Sequence, residues 1–305
     1  MKVLKQWLHR HAAACSCTFT AILIVTAAST LPVRGHPAEP YRISLSTEKL
    51  HTGDVAFLEA SPARDIVFIR GSFQNRNLAF FKSADNGTLC AFVAVDLDDA
   101  PGDKPLQVTV AGSSGRETVT RLSVHVLEKK FPVQRLTLPE SKVTLGKKSL
   151  ERHQRERTAV RNVLAKISRE KLWGTSFSRP VPGDISTPFG VRRILNSKPR
   201  SPHTGVDFRG AEGTPVAASG DGIVVFTGNH YFSGNSVYID HGTGIVTMYF
   251  HLAAIHVTSG ERVTRGRTIG LVGSTGRATG PHLHWGVRID GQRVDPLSFL
   301  ALFSR

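Results

Sequence analysis

The sequence predicts a mainly β protein in three parts, with a β-sandwich over residues 40–128, a helical connector over 139–172 and an antiparallel β domain over 173–305. Short runs of β-branched and aromatic residues, separated by turn residues, recur in the first and third parts. The chain contains 28 glycines, many of them between these runs. The middle part differs, because its apolar residues fall at helical spacing.

The first part predicts a sandwich of immunoglobulin type, since about seven short strands at this spacing are typical of that architecture. Turn sequences such as Asp85-Asn-Gly87 and Pro101-Gly-Asp103 separate the strands. No pair of cysteines supports a true immunoglobulin domain, so the prediction concerns architecture alone. Cys90 lies in an apolar run and is expected to be buried. The predicted strands are 41–45, 54–58, 65–69, 78–81, 88–95, 106–110 and 118–127.

The connector predicts a charged helix that follows a linker at residues 129–138. From 147 to 172 the chain is rich in long charged residues, and apolar residues recur at helical spacing near the end of the run. A solvated helix between two domains is the favoured interpretation. The alternative is a basic face that contacts an anionic envelope surface.

The N-terminal residues 1–30 have the form of a secretory signal. Lys2, Lys5 and Arg10 precede an apolar run over 12–28 that ends in small residues. A cleaved signal is favoured over a membrane anchor, because the run contains several hydroxyl residues. The sequence therefore predicts an exported protein of the periplasm or cell envelope. Cleavage would leave Cys90 as the one remaining cysteine of three, so no intramolecular disulfide is expected.

The formal net charge is +15, and the chain stays strongly basic without the signal. Such a charge predicts attraction to a polyanion. For an exported protein the candidates are cell-wall carboxylates and anionic lipid headgroups. Nucleic acid is not an expected partner, because the basic residues are spread along the chain without an aromatic-plus-basic motif. The oligomeric state is not indicated by the sequence.

The third part contains the candidate metal-binding and catalytic residues. Seven of the 13 histidines fall between His203 and His284. Asp207 follows His203 by four residues, and His282 and His284 are two apart in a predicted strand. Side chains alternate across a strand, so these two imidazoles are expected on one face. The predicted strands are 206–208, 222–226, 236–239, 245–250, 268–272 and 282–289.

These residue types suit a catalytic zinc site, which uses imidazole nitrogen and carboxylate oxygen and keeps one position for water. His203, Asp207 and one member of the His282/His284 pair would supply three ligands. A helical His-Glu-x-x-His motif is absent, so the general base is expected to be a histidine. His251, at the end of the predicted strand 245–250, is a candidate.

Three motifs in order resemble the lysostaphin/LytM-type zinc metallopeptidases. They are His203-x-x-x-Asp207, Tyr249-Phe-His-Leu252 and Gly280-Pro-His-Leu-His284. The resemblance covers roughly residues 180–300 and no motif position is missing. It implies that the antiparallel β domain is a metallopeptidase domain.

The resemblance implies zinc ligands at His203, Asp207 and His284. It implies that His251 and His282 are the catalytic histidines beside the water and the oxyanion. The implied activity is a zinc metalloendopeptidase that cleaves peptide bonds in peptidoglycan stems or cross-bridges through a metal-activated water. The alternative is a cell-wall binding regulator that activates a separate murein hydrolase, as family members with lost ligands do. The intact ligand set favours the enzyme.

Other residues of this part receive structural expectations. His241, at a strand end, is expected to be structural, and His230 and His256 are expected at the surface. Trp285 should face away from His284 and pack in the core. A further hypothesis is latency, in which the N-terminal domain or residues 192–202 cover the substrate groove.

Overall fold

The computed structural model describes residues 41–137, 146–174 and 176–304. The predicted signal and the first residues of the predicted connector lie outside the described residues. The described protein is mainly β, as predicted. Among the described residues, neither helix has the length and apolar character needed to cross a membrane.

Two sheets form the N-terminal region, with strand orders β1-β3-β7-β6 and β2-β9-β8-β4-β5. They share a core to which Leu58 and Val93 contribute from the first sheet and Leu106 and Val124 from the second. The two sheets therefore face each other across one apolar layer. The strands are β1 Arg42–Leu45, β2 Lys49–His51, β3 Val55–Ser61, β4 Phe68–Phe73, β5 Arg76–Asn77, β6 Phe81–Lys82, β7 Leu89–Ala94, β8 Gly102–Ala111 and β9 Glu117–Leu127.

Strand β7 is buried on both faces. Ala91 and Val93 point into the core between the two sheets, whereas Cys90 and Phe92 belong to a second core shared with the C-terminal region. A strand covered on both sides has no reason to alternate in polarity, which explains its continuous apolar run. Cys90 is buried as predicted, and burial raises the pKa of its thiol to about 11.

The predicted linker at 129–138 is wrong in part, because residues 133–136 form a strand that pairs in parallel with the strand Arg192–Leu195. The described residues from 133 onward contain two α-helices and the remaining strands. The helices are α1 Lys147–Leu164 and α2 Pro296–Ala301. The strands are β10 Val133–Leu136, β11 Ile185–Thr187, β12 Arg192–Leu195, β13 Lys198–Pro199, β14 Val206–Arg209, β15 Pro215–Ala217, β16 Gly222–His230, β17 Gly234–Gly242, β18 Ile245–Leu252, β19 Ala254–Ile255, β20 Arg262–Val263, β21 Thr268–Leu271, β22 His282–Ile289 and β23 Gln292–Val294.

An antiparallel sheet of order β11-β14-β22-β18-β17-β16-β20 organises the C-terminal region, and β23 pairs with β22. A smaller sheet has the order β15-β21-β19. Trp285 and Tyr249 are fully buried on the inner face of the large sheet. The predicted packing role of Trp285 is therefore confirmed.

An aromatic cluster joins the two regions. The ring centroid of Phe92 lies 6.3 Å from that of Trp173, 6.4 Å from Phe299 and 6.4 Å from Phe303. Arg293 adds an ion pair to Asp96 across the same boundary. The described residues accordingly form one compact unit.

Helix α1 covers the outer face of the large sheet. It ends at Leu164 rather than continuing to residue 172. Beyond the helix, Ser168 N donates to Asp240 Oδ2 at 2.8 Å and so ties the chain to the sheet. Val160 and Leu164 pack against an outer cluster that contains Tyr238, Met248 and Phe250. The helix therefore rests on the sheet along an apolar stripe and exposes its charged side.

Candidate metal centre and flanking histidines

The candidate metal ligands lie in one row across the large sheet. Asp207 in β14 pairs with His284 in β22, and His284 pairs with Phe250 in β18. His203 enters from the segment before β14. His203 Nε2 lies 2.8 Å from Asp207 Oδ1 and 2.9 Å from His284 Nδ1, and the last two atoms are 2.9 Å apart. The structure thus brings the three predicted ligands together.

The hydrogen bond between His203 and the backbone indicates what the three candidate ligands can bind. Its Nδ1 lies 2.8 Å from the carbonyl oxygen of Pro188. A carbonyl only accepts, so Nδ1 carries a proton, and Nε2 is the ring nitrogen that faces Asp207. Two acceptors at 2.8 Å repel each other unless a proton or a cation lies between them. Two imidazole nitrogens and one carboxylate oxygen match the donor set of zinc, with a backbone carbonyl orienting the first imidazole.

Burial and charge also prepare these groups for a cation. His203, Asp207 and His284 are only 7%, 6% and 8% exposed. Burial alone would raise the pKa of Asp207, but its contacts with the two imidazoles lower that pKa well below its usual range. Burial lowers the pKa of His284. The ionised carboxylate and the neutral imidazole are the forms that bind a metal.

Gly205 makes room for this arrangement. A Cβ atom at this position would lie 2.3 Å from the carbonyl oxygen of Trp285 and 2.8 Å from His284 Nε2. Any side chain there would push β14 away from β22. Sequence reasoning did not single out Gly205, although it stands inside the His203–Asp207 motif.

His251 and His282 lie beside the group. Their ring centroids are 4.7 Å apart, and that of His251 is 6.3 Å from that of His284. His251 Nδ1 donates to the carbonyl of Thr275 at 2.8 Å, and His282 Nδ1 donates to that of Gly280 at 2.9 Å. In each ring Nδ1 therefore carries a proton, and Nε2 is the nitrogen that remains for contact with water or substrate.

A backbone irregularity sets the direction of the His251 side chain. Phe250 lies opposite His284, so strict alternation would send His251 to the other face of the sheet. The pairing of β17 with β18 shifts register between Asn235 and Val237, and His251 adopts a φ of 63°. This left-handed conformation costs about 1–2 kcal/mol at a residue other than glycine. The bulge turns His251 back toward the candidate ligands.

Thr275 fixes the loop that holds His251. Its Oγ1 accepts from Asn235 N at 2.9 Å and donates to the carbonyl of Leu252 at 2.8 Å. Its own carbonyl is the acceptor for His251 Nδ1. Thr275 was not among the residues predicted from the sequence. Its position in the glycine-rich loop directly before the His282/His284 pair could have indicated its role.

The remaining histidines lie apart from the group. His241 is fully buried and contacts the carbonyl of Asp221 and the hydroxyl of Thr247, each at 2.7 Å, as a structural residue would. His256 is exposed, as expected. The surface prediction for His230 is wrong, because β16 extends through this residue. His230 is 7% exposed and stacks on Phe226 with centroids 4.8 Å apart.

We expect His241 to make the protein acid-sensitive. Burial lowers its pKa from 6.5 to about 4. Between these values the unfolded chain binds a proton at His241 and the folded chain does not, so stability falls as the pH falls. Urea unfolding of the wild type at pH 7 and pH 5 should show a contribution of about 2 kcal/mol from this residue.

His241→Gln should reduce that loss on acidification by about the same amount. His256→Gln, at an exposed position, is the matched control and should leave the loss unchanged. Equal losses in the wild type and His241→Gln would contradict this account.

The structure therefore defines a β protein whose large antiparallel sheet carries a candidate His–Asp–His metal centre with two histidines beside it. The model of peptidase family M23 matches residues 201–296, which include all five residues of the site. A crystal structure from Pseudomonas aeruginosa that is assigned to peptidase M23 has a TM-score of 0.63 and 31% identity. That match covers 82% of this chain and 95% of the other. The chain belongs to peptidase family M23.

Two curated relatives share the same region. ShyA, a peptidoglycan DD-endopeptidase of Vibrio cholerae, is 48% identical over 114 residues, which are 37% of this chain and 26% of ShyA. Mpg, a DD-carboxypeptidase/endopeptidase of Neisseria meningitidis, has the same identity over the same lengths. The chain thus spans about a quarter of the length of these curated relatives.

Proposed function

We propose that this chain is an exported zinc metalloendopeptidase that hydrolyses peptide bonds in peptidoglycan stems or cross-bridges. The observation that carries the proposal is the convergence of His203, Asp207 and His284 within 2.9 Å, with His251 and His282 alongside. The printed activities of ShyA and Mpg support peptidoglycan as the substrate.

In the proposed reaction His203, Asp207 and His284 would hold the zinc ion. Zinc, when bound, would polarise the scissile carbonyl and lower the pKa of a water molecule toward neutrality. The backbone bond to Pro188 holds the His203 ring in the orientation and tautomer that ligation requires. Phe250 stacks on His284 with ring planes only 2° apart and so restricts its rotation.

His251 and His282 supply the proton transfers. Burial lowers the pKa of His251 to about 4, so its imidazole is neutral at pH 7. A neutral ring with a free Nε2 accepts the proton of the attacking water, and the resulting imidazolium can donate to the leaving amine. His282 is less enclosed than His284 and is assigned to the position beside the developing oxyanion.

The N-terminal region is proposed to be an immunoglobulin-like sandwich over residues 40–128 that braces the peptidase region at 173–305. Two facing sheets with one common core support the architecture. The net charge of +15 supports a location against the anionic surfaces of the cell envelope.

A digest of purified peptidoglycan tests the activity. The wild type is expected to release new peptide termini, identified by mass spectrometry, and a zinc chelator should stop the release until zinc is restored. If the wild type releases no new termini in the presence of zinc, the proposed endopeptidase activity is refuted. Activation of a separate amidase by such a chain would instead support the alternative function, a cell-wall binding regulator of another murein hydrolase.

A further inference from the structure

Helix α1 binds the turn that joins β16 to β17, which spans residues 231–233. The carboxylate of Glu156 accepts from Tyr231 N, at 2.9 Å to Oε2 and 3.1 Å to Oε1. His153 packs edge-on against the ring of Phe232, with centroids 4.7 Å apart. The helix lies outside the region that the peptidase family model matches. The turn is therefore held by a part of the chain beyond that region.

Arg152 fixes the carboxylate of Glu156 in this position. Arg152 Nε donates to Glu156 Oε1 at 2.7 Å. Arg152 Nη2 also donates to the carbonyl oxygen of Asn229 at 3.1 Å and to Asn229 Oδ1 at 2.9 Å. The Glu156 side chain is only 16% exposed. Hydrogen bonds to an ionised group are about twice as strong as neutral ones, so this pair attaches the helix firmly to the end of β16.

The same turn holds both backbone acceptors of His251. His251 N donates to the carbonyl oxygen of Ser233 at 2.8 Å. Arg277 N donates to the carbonyl oxygen of Phe232 at 2.8 Å, which attaches the glycine-rich loop before β22 to the turn. That loop contains Thr275, whose carbonyl oxygen accepts from His251 Nδ1. The backbone and the ring of His251 are thus both connected to this one turn.

The turn and the loop lie too close to move separately. A Cβ atom on Gly276 would lie 2.3 Å from Gly234 N and 2.6 Å from the carbonyl oxygen of Phe232. Asn235 N also donates to Thr275 Oγ1 at 2.9 Å. Closely packed interiors transmit strain, so a displacement of the turn would displace the loop as well.

His251 requires restraint from its surroundings. Its φ of 63° is a left-handed conformation. A residue other than glycine keeps this conformation only where neighbouring contacts hold it. The hydrogen bonds of His251 to Ser233 and Thr275 are such contacts. The direction of the imidazole therefore depends on the position of the turn.

We propose that Glu156 is a positioning residue for His251. Glu156 holds the turn through Tyr231 N, and the turn holds the two acceptors that direct the imidazole. Without the carboxylate, Tyr231 N loses this acceptor and the imidazole occupies the orientation for proton transfer for less of the time. The inference rests on the proposed function, in which His251 transfers a proton. It extends the working parts of the site to helix α1.

Kinetics of the zinc-loaded full-length protein on a soluble cross-linked peptide give the first test. Glu156→Ala is expected to lower kcat by about 10- to 100-fold, because a small misplacement of a reacting group has an effect of this size. The ratio kcat/KM should fall by the same factor, since the lost interaction acts in the transition state. Zinc content should stay as in the wild type, because the candidate ligands are carried by β14, β22 and the segment before β14.

A histidine NMR spectrum gives a readout that does not depend on activity. The His251 Nδ1 proton is bonded to Thr275 and should give a slowly exchanging signal in isotope-labelled full-length protein. His251→Gln identifies this signal by its loss. Glu156→Ala should broaden or remove the signal. Glu156→Gln keeps the shape of the side chain and one acceptor oxygen for Tyr231 N, so it should retain the signal and most of the rate.

Glu151→Ala is the matched control, because Glu151 is an exposed carboxylate on the same helix. It should leave both kcat and the His251 signal unchanged. Thermal unfolding shows whether each variant has folded. If Glu156→Ala does not fold, Glu156→Asp makes the same test with a shorter side chain that retracts the carboxylate from Tyr231 N. It should show a smaller loss of both quantities.

An unchanged kcat in the folded Glu156 variant would overturn the positioning role and leave the endopeptidase intact. A lower kcat with an unchanged His251 signal would also overturn it, since the effect would then not pass through His251. If the wild type cleaves neither the peptide nor whole peptidoglycan, the proposed function fails. The histidine spectra alone would then decide whether Glu156 orients His251.

Discussion

Asp207→Asn is expected to reduce peptide hydrolysis about 10³-fold and to abolish stoichiometric zinc binding. The change keeps the shape of the side chain and removes the negative charge that faces His203 and His284 at 2.8 and 2.9 Å. A metal contributes several kcal/mol of charge stabilisation in the transition state. A loss of about 4 kcal/mol corresponds to the stated factor.

Stability gives a second readout of the same change. Zinc at about 100 times its Kd should stabilise the metal-free wild type by about 2.7 kcal/mol, since it binds the folded state. Asp207→Asn should show little of this effect in thermal unfolding. Asp184→Asn is the control, because Asp184 is exposed and outside the ligand row. Normal zinc content and activity in Asp207→Asn would exclude this residue as a ligand.

Phe92→Ala is expected to destabilise the whole described protein by about 3–5 kcal/mol. Phe92 is 2% exposed and its ring contacts Trp173, Phe299 and Phe303 from the C-terminal region. Removing the ring leaves a cavity in a core that both regions share. Chemical denaturation should show a single transition that moves to lower denaturant.

Phe68→Ala is the matched control, because Phe68 is 43% exposed at the surface of the N-terminal region. It should change stability by about 0.5 kcal/mol or less. Two separate transitions in Phe92→Ala, with the C-terminal one unmoved, would show that the cores are independent.

The shared core also bears on the latency hypothesis. A chain that begins at Trp173 would expose the aromatic face formed by Trp173, Phe177, Phe299 and Phe303. We expect such a chain to aggregate, since a large apolar patch would be open to water. The other version of the hypothesis, in which residues 192–202 cover the groove, is better tested by point changes at the hairpin of β12 and β13, which leave this core covered.

Much of the site followed from the sequence for a local reason. The period of two in a strand places His282 and His284 on one face, and the structure has them there. The residue types of the three motifs predicted the ligand chemistry before any geometry was known. The apolar runs predicted most of the strands. Their ends were less certain, since His230 proved to lie inside β16.

Tertiary structure decided what depends on residues far apart in the chain. Strand alternation alone would place the His251 side chain on the face of the sheet away from the candidate ligands. The bulge opposite Asn235 and Val237 returns it to the face that carries them. The carbonyls of Pro188, Thr275 and Gly280 fix which ring nitrogens are free.

The core around Phe92 depends in the same way on the packing of two regions. The sequence by itself thus determined which groups are present and which face each strand gives them. Long-range strand pairing and packing determined the direction of these side chains, their hydrogen-bond partners and the separation between β14 and β22, because these follow from contacts that no local pattern contains.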